Sequence, residues 1–256
     1  MRKIWRAVVL IALIALGALG AGCEWAPQND TEPAEPATTE PATVTPKGDA
    51  ALAGDCEKTL QDAQGREYAT IKVNLPQSVY DGLADENAAA SVAAVLQQVE
   101  DDFVALSEGD AAINYEITPD GESTFELTFS PFYAGDDYIS LIADRYSDFS
   151  RAAHPSSGRY GYVFATADGA PLTLAQLLGA DYAATVTAIV YQNLSEAGEL
   201  DNYYENVEEL LSLYLQEGQW YADGDTLYLI YEPDQIAPYV MGLQEFAIPL
   251  SLLTAD

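Results

Sequence analysis

The sequence predicts an α+β fold: a mainly antiparallel sheet with packed helices, arranged as two consecutive subdomains. Three observations lead there. Short runs alternate apolar and polar residues, as half-buried strands do. A long apolar stripe at helical spacing stands between the first two of these runs. Strands and helices then mix without the strict alternation that a parallel α/β sheet demands.

Two stretches precede the folded part. Met1-Arg2-Lys3-Ile4-Trp5-Arg6 is basic, and the run from 7 to 22 is uncharged and ends in small residues before Cys23. This is the order of a signal peptide, and the run is shorter than the ~20 apolar residues of a spanning helix. Leu19-Gly20-Ala21-Gly22-Cys23 is similar to a bacterial lipoprotein signal, with the leucine one place early. The expectation is a signal peptide over 1–22 and lipidation of Cys23. The protein is then exported and lipid-anchored at the outer face of the bacterial cytoplasmic membrane. Residues 23–53 are rich in Pro, Thr, Glu and Ala, as in Thr31-Glu32-Pro33-Ala34-Glu35-Pro36. Such a stretch cannot bury a core, and proline with like charge makes it an extended, disordered linker.

Residues 60–135 are expected to form a small N-terminal α+β subdomain. Its strands are residues 68–75, Ile113-Asn114-Tyr115-Glu116-Ile117 and Phe125-Glu126-Leu127-Thr128-Phe129. Its helix starts near Asp85 and carries the stripe Val92, Val95, Leu96, Val99, Phe103 and Leu106. Residues 136–256 are expected to form a second α+β domain, beginning with strands at 138–146 and 160–166 and an Asp168-Gly169 turn. Thr173 with Gln176 reads as a capping box over a short turn ending at Gly179. Asp181 is expected to cap a helix that stops at Gly198. Asp201 is expected to start another, with Val207, Leu210, Leu211 and Tyr214 on one side and Gly218 at its end. Strand returns over 220–231, turned at Asp223-Gly224-Asp225, and again over 245–250.

The chain holds 41 acidic against 10 basic residues, and no Lys or Arg follows Arg159. Removal of 1–22 takes away Arg2, Lys3 and Arg6 and no acid, so the mature chain is more acidic still. A field of this sign repels nucleic acid and anionic lipid and favours basic partners or divalent cations. With Cys23 lipidated, Cys56 is the one cysteine left, so no internal disulfide supports the fold.

Catalytic chemistry finds little footing. His154 is the only histidine, which excludes a multi-histidine metal site. Neither a Gly-x-Ser-x-Gly elbow nor a phosphate loop is present. No catalytic residue, metal ligand or cofactor is assigned, and the protein is expected not to be an enzyme. Asp223-Gly224-Asp225 lacks the other ligands of a calcium loop and reads as a hairpin turn. Tyr203-Tyr204 and Trp220-Tyr221 can stack on sugars, but such aromatics more often pack a strand or helix face. The alternative function is a cell-envelope glycan hydrolase working through two carboxylates about 5–9 Å apart.

A family resemblance comes from the C-terminal end. The order Trp220-Tyr221-Ala222-Asp223-Gly224-Asp225-Thr226-Leu227-Tyr228-Leu229-Ile230-Tyr231-Glu232-Pro233 leads into Ile236-Ala237-Pro238-Tyr239 and Glu245-Phe246-Ala247-Ile248-Pro249. It resembles the extracytoplasmic domain of RsiV-type anti-sigma factors, a domain of unknown function also found with peptidoglycan deacetylases and in lipoproteins. Gly169-Ala170-Pro171-Leu172-Thr173-Leu174 is similar to that family's turn into its first C-terminal helix, and residues 67–133 resemble the smaller domain that precedes it. In the family a strand ends in a Gly-Gly-Ala-His-Gly turn. Here the corresponding stretch is Ser150-Arg151-Ala152-Ala153-His154-Pro155-Ser156-Ser157-Gly158, where Ala153 and His154 fit directly. The resemblance implies ligand contacts at His154, Ser156, Ser157 and Tyr239. It also implies a partner, since RsiV-type proteins bind lysozyme, a commonly basic protein. The few residues before Ala7 lead to the expectation that no sigma-binding part accompanies the domain, so the signalling role is not carried over. The combined expectation is a surface-tethered acidic binding lipoprotein. Its ligand is lysozyme, another basic extracellular protein or a cell-wall component.

Overall fold

Alternating side chains and one long amphipathic stripe build the first sheet as the sequence suggests. The computed structural model describes residues 54–215 and 218–253. The expected signal peptide, Cys23 and the 23–53 linker lie outside the described residues. β1 (Cys56–Gln61), β2 (Glu67–Asn74), β3 (Ser123–Ala134), β4 (Tyr138–Asp148) and β5 (Ser156–Ala165) form a sheet in that order. Every pairing is antiparallel except β2 with β3, which α1 (Glu86–Ile117) separates in the chain. Parallel neighbours need such a crossover.

The Asp85 carboxylate starts α1 by accepting from the backbone N–H of Asn87 and Ala88, both at 2.9 Å. Val92, Leu96, Phe103 and Ala111 then pack on Ile71, Val73, Phe125, Leu127 and Phe129 of the sheet. Two expectations fail here. Residues 113–117 are the last turns of α1 rather than a strand, and Leu106 is 60% exposed rather than part of the buried stripe. Ile113 and Ile117 stand four apart, on one outward helix face, so a short alternating run also satisfied a helix. β1 went unforeseen because Cys56-Glu57-Lys58-Thr59-Leu60-Gln61 carries few apolar residues and borders only β2.

The second layer comprises α2 (Leu174–Leu178), α3 (Tyr182–Ala197), α4 (Val207–Leu213) and an antiparallel sheet of β6 (Trp220–Ala222), β7 (Thr226–Tyr231) and β8 (Gln244–Pro249). Thr173 and Gln176 form the capping box, with Gln176 N–H donating to Thr173 Oγ1 at 3.2 Å and Thr173 N–H to Gln176 Oε1 at 2.8 Å. Asp181 precedes α3 without capping it by its side chain. Asp201 lies in a single 3₁₀ turn, Leu200–Asn202, and α4 starts later, after Asn206, and ends before Tyr214 rather than at Gly218. The hairpin at Asp223 forms as expected: Asp223 Oδ1 accepts from the N–H of Asp225 at 2.9 Å and Thr226 at 2.8 Å.

The expected seam at 135/136 falls inside the β3–β4 turn, so the five-stranded sheet runs straight across it. The hydrophobic clusters divide instead between the two faces of β4 and β5. Ile139, Leu141 and Phe164 belong to the α1 core, while Tyr138 and Val163 belong to the core with Trp220, Leu229 and Val190. This alternation is the two-residue period of a strand buried on both sides. Close approach of the layers depends on Gly161. A Cβ there would stand 1.7 Å from the Trp220 carbonyl oxygen, and the Gly161 N–H donates to Gly218 O at 2.9 Å. Ser140 Oγ donates to Ala222 O at 2.6 Å, and the Tyr138 hydroxyl donates to Asp223 O.

Candidate functional site

A groove of about 250 Å³ opens where the α1 core ends. One wall is α1, with Phe103, Ser107 and Asp110. The floor is the open end of the sheet, with Arg145 and Ser147 of β4 and Ser156, Gly158 and Tyr160 of β5. The other wall is Glu232, Pro233 and Tyr239, from the segment after β7. Register explains the floor: Arg145 faces Gly158 and Ser147 faces Ser156 across the β4–β5 ladder, on the α1 side.

The sequence-predicted ligand residues gather at this groove. Ser156, Ser157 and Tyr239 line it, and His154 stands beside Tyr239. His154 Nδ1 is 3.1 Å from the Tyr239 hydroxyl and 3.0 Å from Pro155 O, and the two rings lie 4.5 Å apart at 31°. The loop expected at 150–158 is shorter than that, since Ser156, Ser157 and Gly158 already belong to β5. Beyond Tyr239 the rim is apolar and in solvent: Tyr239 is 42% exposed, Val240 90% and Met241 42%. Large apolar side chains left out in a group mark contact surfaces more often than singly exposed ones do.

Inside the groove the contacts are polar. The Tyr160 hydroxyl donates to Glu232 Oε1 at 2.7 Å and accepts from Arg145 Nη1 at 3.4 Å. Burial, and then the bond to Glu232, push the Tyr160 hydroxyl above the usual phenol range, so it stays a donor at neutral pH. The Arg145 guanidinium carbon lies 5.5 Å from the Phe103 ring centroid and 5.6 Å from that of Tyr160. Two carboxylates, Asp110 and Glu232, line the same space. The acid-rich segment of the sequence lies elsewhere, because Glu196, Glu199, Asp201, Glu205, Glu208 and Glu209 occupy α3, α4 and their connection.

Sequence reasoning missed Phe103, Asp110, Arg145, Tyr160 and Glu232. A signal for Arg145 existed, since an arginine inside a strand is conspicuous in a chain with four acids per base. Trp220 and Tyr221 are each 2% exposed and pack the core, as expected for a strand face. Tyr203 is half-buried, with its hydroxyl donating to Gln244 Oε1 at 2.9 Å. Among the described residues no His, Cys, Asp and Glu side chains cluster as a metal site, and no helix is long and apolar enough to cross a membrane.

No curated protein matches this chain. Among solved structures, a member of the DUF3298 family from Bacteroides fragilis is similar at 16% identity and a TM-score of 0.49, covering 77% of this chain and 89% of that one. A DUF3298 family protein from Pseudomonas aeruginosa PAO1 is similar at 13% identity and a TM-score of 0.47, covering 78% and 89%. Residues 176–251 of this chain, the part that supplies Glu232 and Tyr239 to the groove, match the model of a family described as protein of unknown function, DUF3298.

Proposed function

We propose that this chain is a non-enzymatic, RsiV-like binding lipoprotein, tethered through Cys23 and the 23–53 spacer, whose groove rim takes a basic extracellular protein such as lysozyme. The observation that carries the reading is convergence. His154 and Tyr239, 85 residues apart, meet at one end of the groove beside the exposed Val240 and Met241. A net charge of −31 over the full sequence, more negative still without residues 1–22, supplies steering toward a basic partner, and the apolar rim supplies area to bury on contact.

Lysozyme titrated into the unlipidated Cys23→Ser chain from residue 23 tests it by calorimetry. Binding is expected to weaken as salt rises through the range where the screening length falls to about 8 Å. Tyr239→Ala and Val240→Ser are each expected to weaken it by about tenfold or more. Equal binding by the variants, or none at low salt, removes the lysozyme reading. The competing glycan-hydrolase reading has Asp110 and Glu232 as its groove carboxylates, and Glu232 is engaged by Tyr160. Peptidoglycan incubated with the same chain is expected to release no reducing ends.

A further inference from the structure

The described cations of this protein mostly have carboxylate partners. Arg66 meets Asp62 and Asp120, Arg159 meets Asp144 and Glu245, Lys58 meets Glu108, and Lys72 meets Glu57. Arg151 stands in solvent on the loop before β5. Arg145 is different: it is half-buried on the groove floor, and none of the described carboxylates forms an ion pair with it. In a chain with 41 acids this is a departure from what charge composition alone produces. A half-buried guanidinium with no carboxylate in direct contact is costly unless something else holds it or something arrives to pair with it.

What holds it is aromatic. Phe103 and Tyr160 flank the guanidinium, and its one side-chain hydrogen bond among the described residues, to the Tyr160 hydroxyl, is a long 3.4 Å. That fixes the plane of the group while leaving most of its five N–H donors uncommitted. Gly158, directly across the ladder, leaves room for the Glu232 carboxylate at the edge of this space; a Cβ there would stand 2.7 Å from Glu232 Oε1. Ser147 and Ser156, on the α1 side of the ladder, add hydroxyls around the same space.

We infer that Arg145 is the anion-recognition residue of a small-ligand subsite on the groove floor, which takes the carboxylate of a peptide end. A planar carboxylate fits the fork of a guanidinium through two parallel hydrogen bonds, and the serine hydroxyls serve its remaining lone pairs. Asp110 and Glu232 set the class more narrowly. They repel a doubly charged phosphate more than a singly charged carboxylate, and they offer acceptors to the amide N–H groups that accompany a peptide carboxylate. The subsite is independent of a protein docked at the rim. Its residues lie below Tyr239, and a failed lysozyme titration leaves it standing.

The test uses the purified full chain and two probes, N-acetylalanylalanine and its C-terminal amide, titrated at about 0.1 M salt up to about 50 mM. The acid is expected to bind at least about tenfold more tightly than the amide, as loss of a charge-assisted pair implies. Arg145→Gln is expected to abolish that preference. Arg145→Lys keeps the charge but not the fork and retains only part of it, whereas Arg151→Gln, which removes the same charge from the exposed loop, keeps it whole. Unchanged circular dichroism and unfolding midpoint in each variant confirm that the fold is intact. Equal binding of acid and amide, binding of neither, or inorganic phosphate displacing the acid at equal concentration overturns the inference.

Discussion

Asp144 and Arg145 are neighbours on β4 and so point to opposite faces of the sheet, and the two faces treat their arginines in opposite ways. On the reverse face Arg159 is fixed: Nε donates to Asp144 Oδ1 at 2.7 Å, Nη1 reaches Glu245 Oε2 at 3.3 Å, and the same Glu245 oxygen accepts from the Tyr221 hydroxyl at 2.6 Å. That network ties β4 and β5 to β6 and β8. On the α1 face Arg145 has two rings and a tyrosine hydroxyl instead. The same residue type, within one ladder, is spent on cohesion in one case and left available in the other. Substitution on the reverse face is therefore expected to damage the fold, and substitution on the groove face to leave it largely intact.

Gly161→Val is the largest blow to this division. Its Cβ meets the Trp220 carbonyl oxygen at 1.7 Å, and backbone cannot step aside as a flexible side chain does. We expect a loss of about 3 kcal/mol or more, or roughly 6–12 °C in Tm for a domain of this size. A Tm within about 2 °C of the parent would mean that the two layers do not close on each other through Gly161.

Next comes Arg159→Met, which keeps volume and removes the charge shared by Asp144 and Glu245. The three side chains are between 31% and 48% exposed, so water screens part of the interaction. The expected cost is about 1–2 kcal/mol, seen as a lower urea midpoint with an unchanged slope. Burial and the Glu245 bond push the Tyr221 hydroxyl above the ordinary phenol range. Loss of Arg159, which opposes that shift, leaves Tyr221 still protonated at neutral pH, so the change in stability is attributable to the ion pairs.

The reverse face was also the more legible in sequence. Trp220 to Tyr231 announced its strands by alternation, Asp223-Gly224-Asp225 its turn, and Thr173 with Gln176 its cap, because each is a local rule satisfied within a few residues. The groove was legible only in its rim. His154, Ser156, Ser157 and Tyr239 stood out through a family resemblance, not through spacing. Its floor is assembled from α1, β4, β5 and the segment after β7, and no local pattern records that Phe103 and Tyr160 flank Arg145 or that Glu232 reaches Tyr160. The misread run at 113–117 has the same origin in reverse: a local alternation was satisfied, and the continuation of α1 overrode it.

The smallest effect is the most telling one, because the comparison requires it to be small. Arg145→Met removes a guanidinium of the same type from the same ladder as Arg159→Met, yet breaks no ion pair with a described carboxylate. The methionine chain can still lie against Phe103 and Tyr160, so packing is largely kept. What is lost is two cation–π contacts near the ~6 Å limit of that interaction, together about 0.5–1 kcal/mol, and a long hydrogen bond to Tyr160. The loss is offset in part because a half-buried charge no longer has to be held out of water. The urea midpoint is therefore expected to stay within the equivalent of about 0.5 kcal/mol of the parent. The paired variants make the measurement decisive: if Arg145→Met destabilises as much as Arg159→Met, Arg145 is a structural residue after all, and the groove floor loses its claim to be a site.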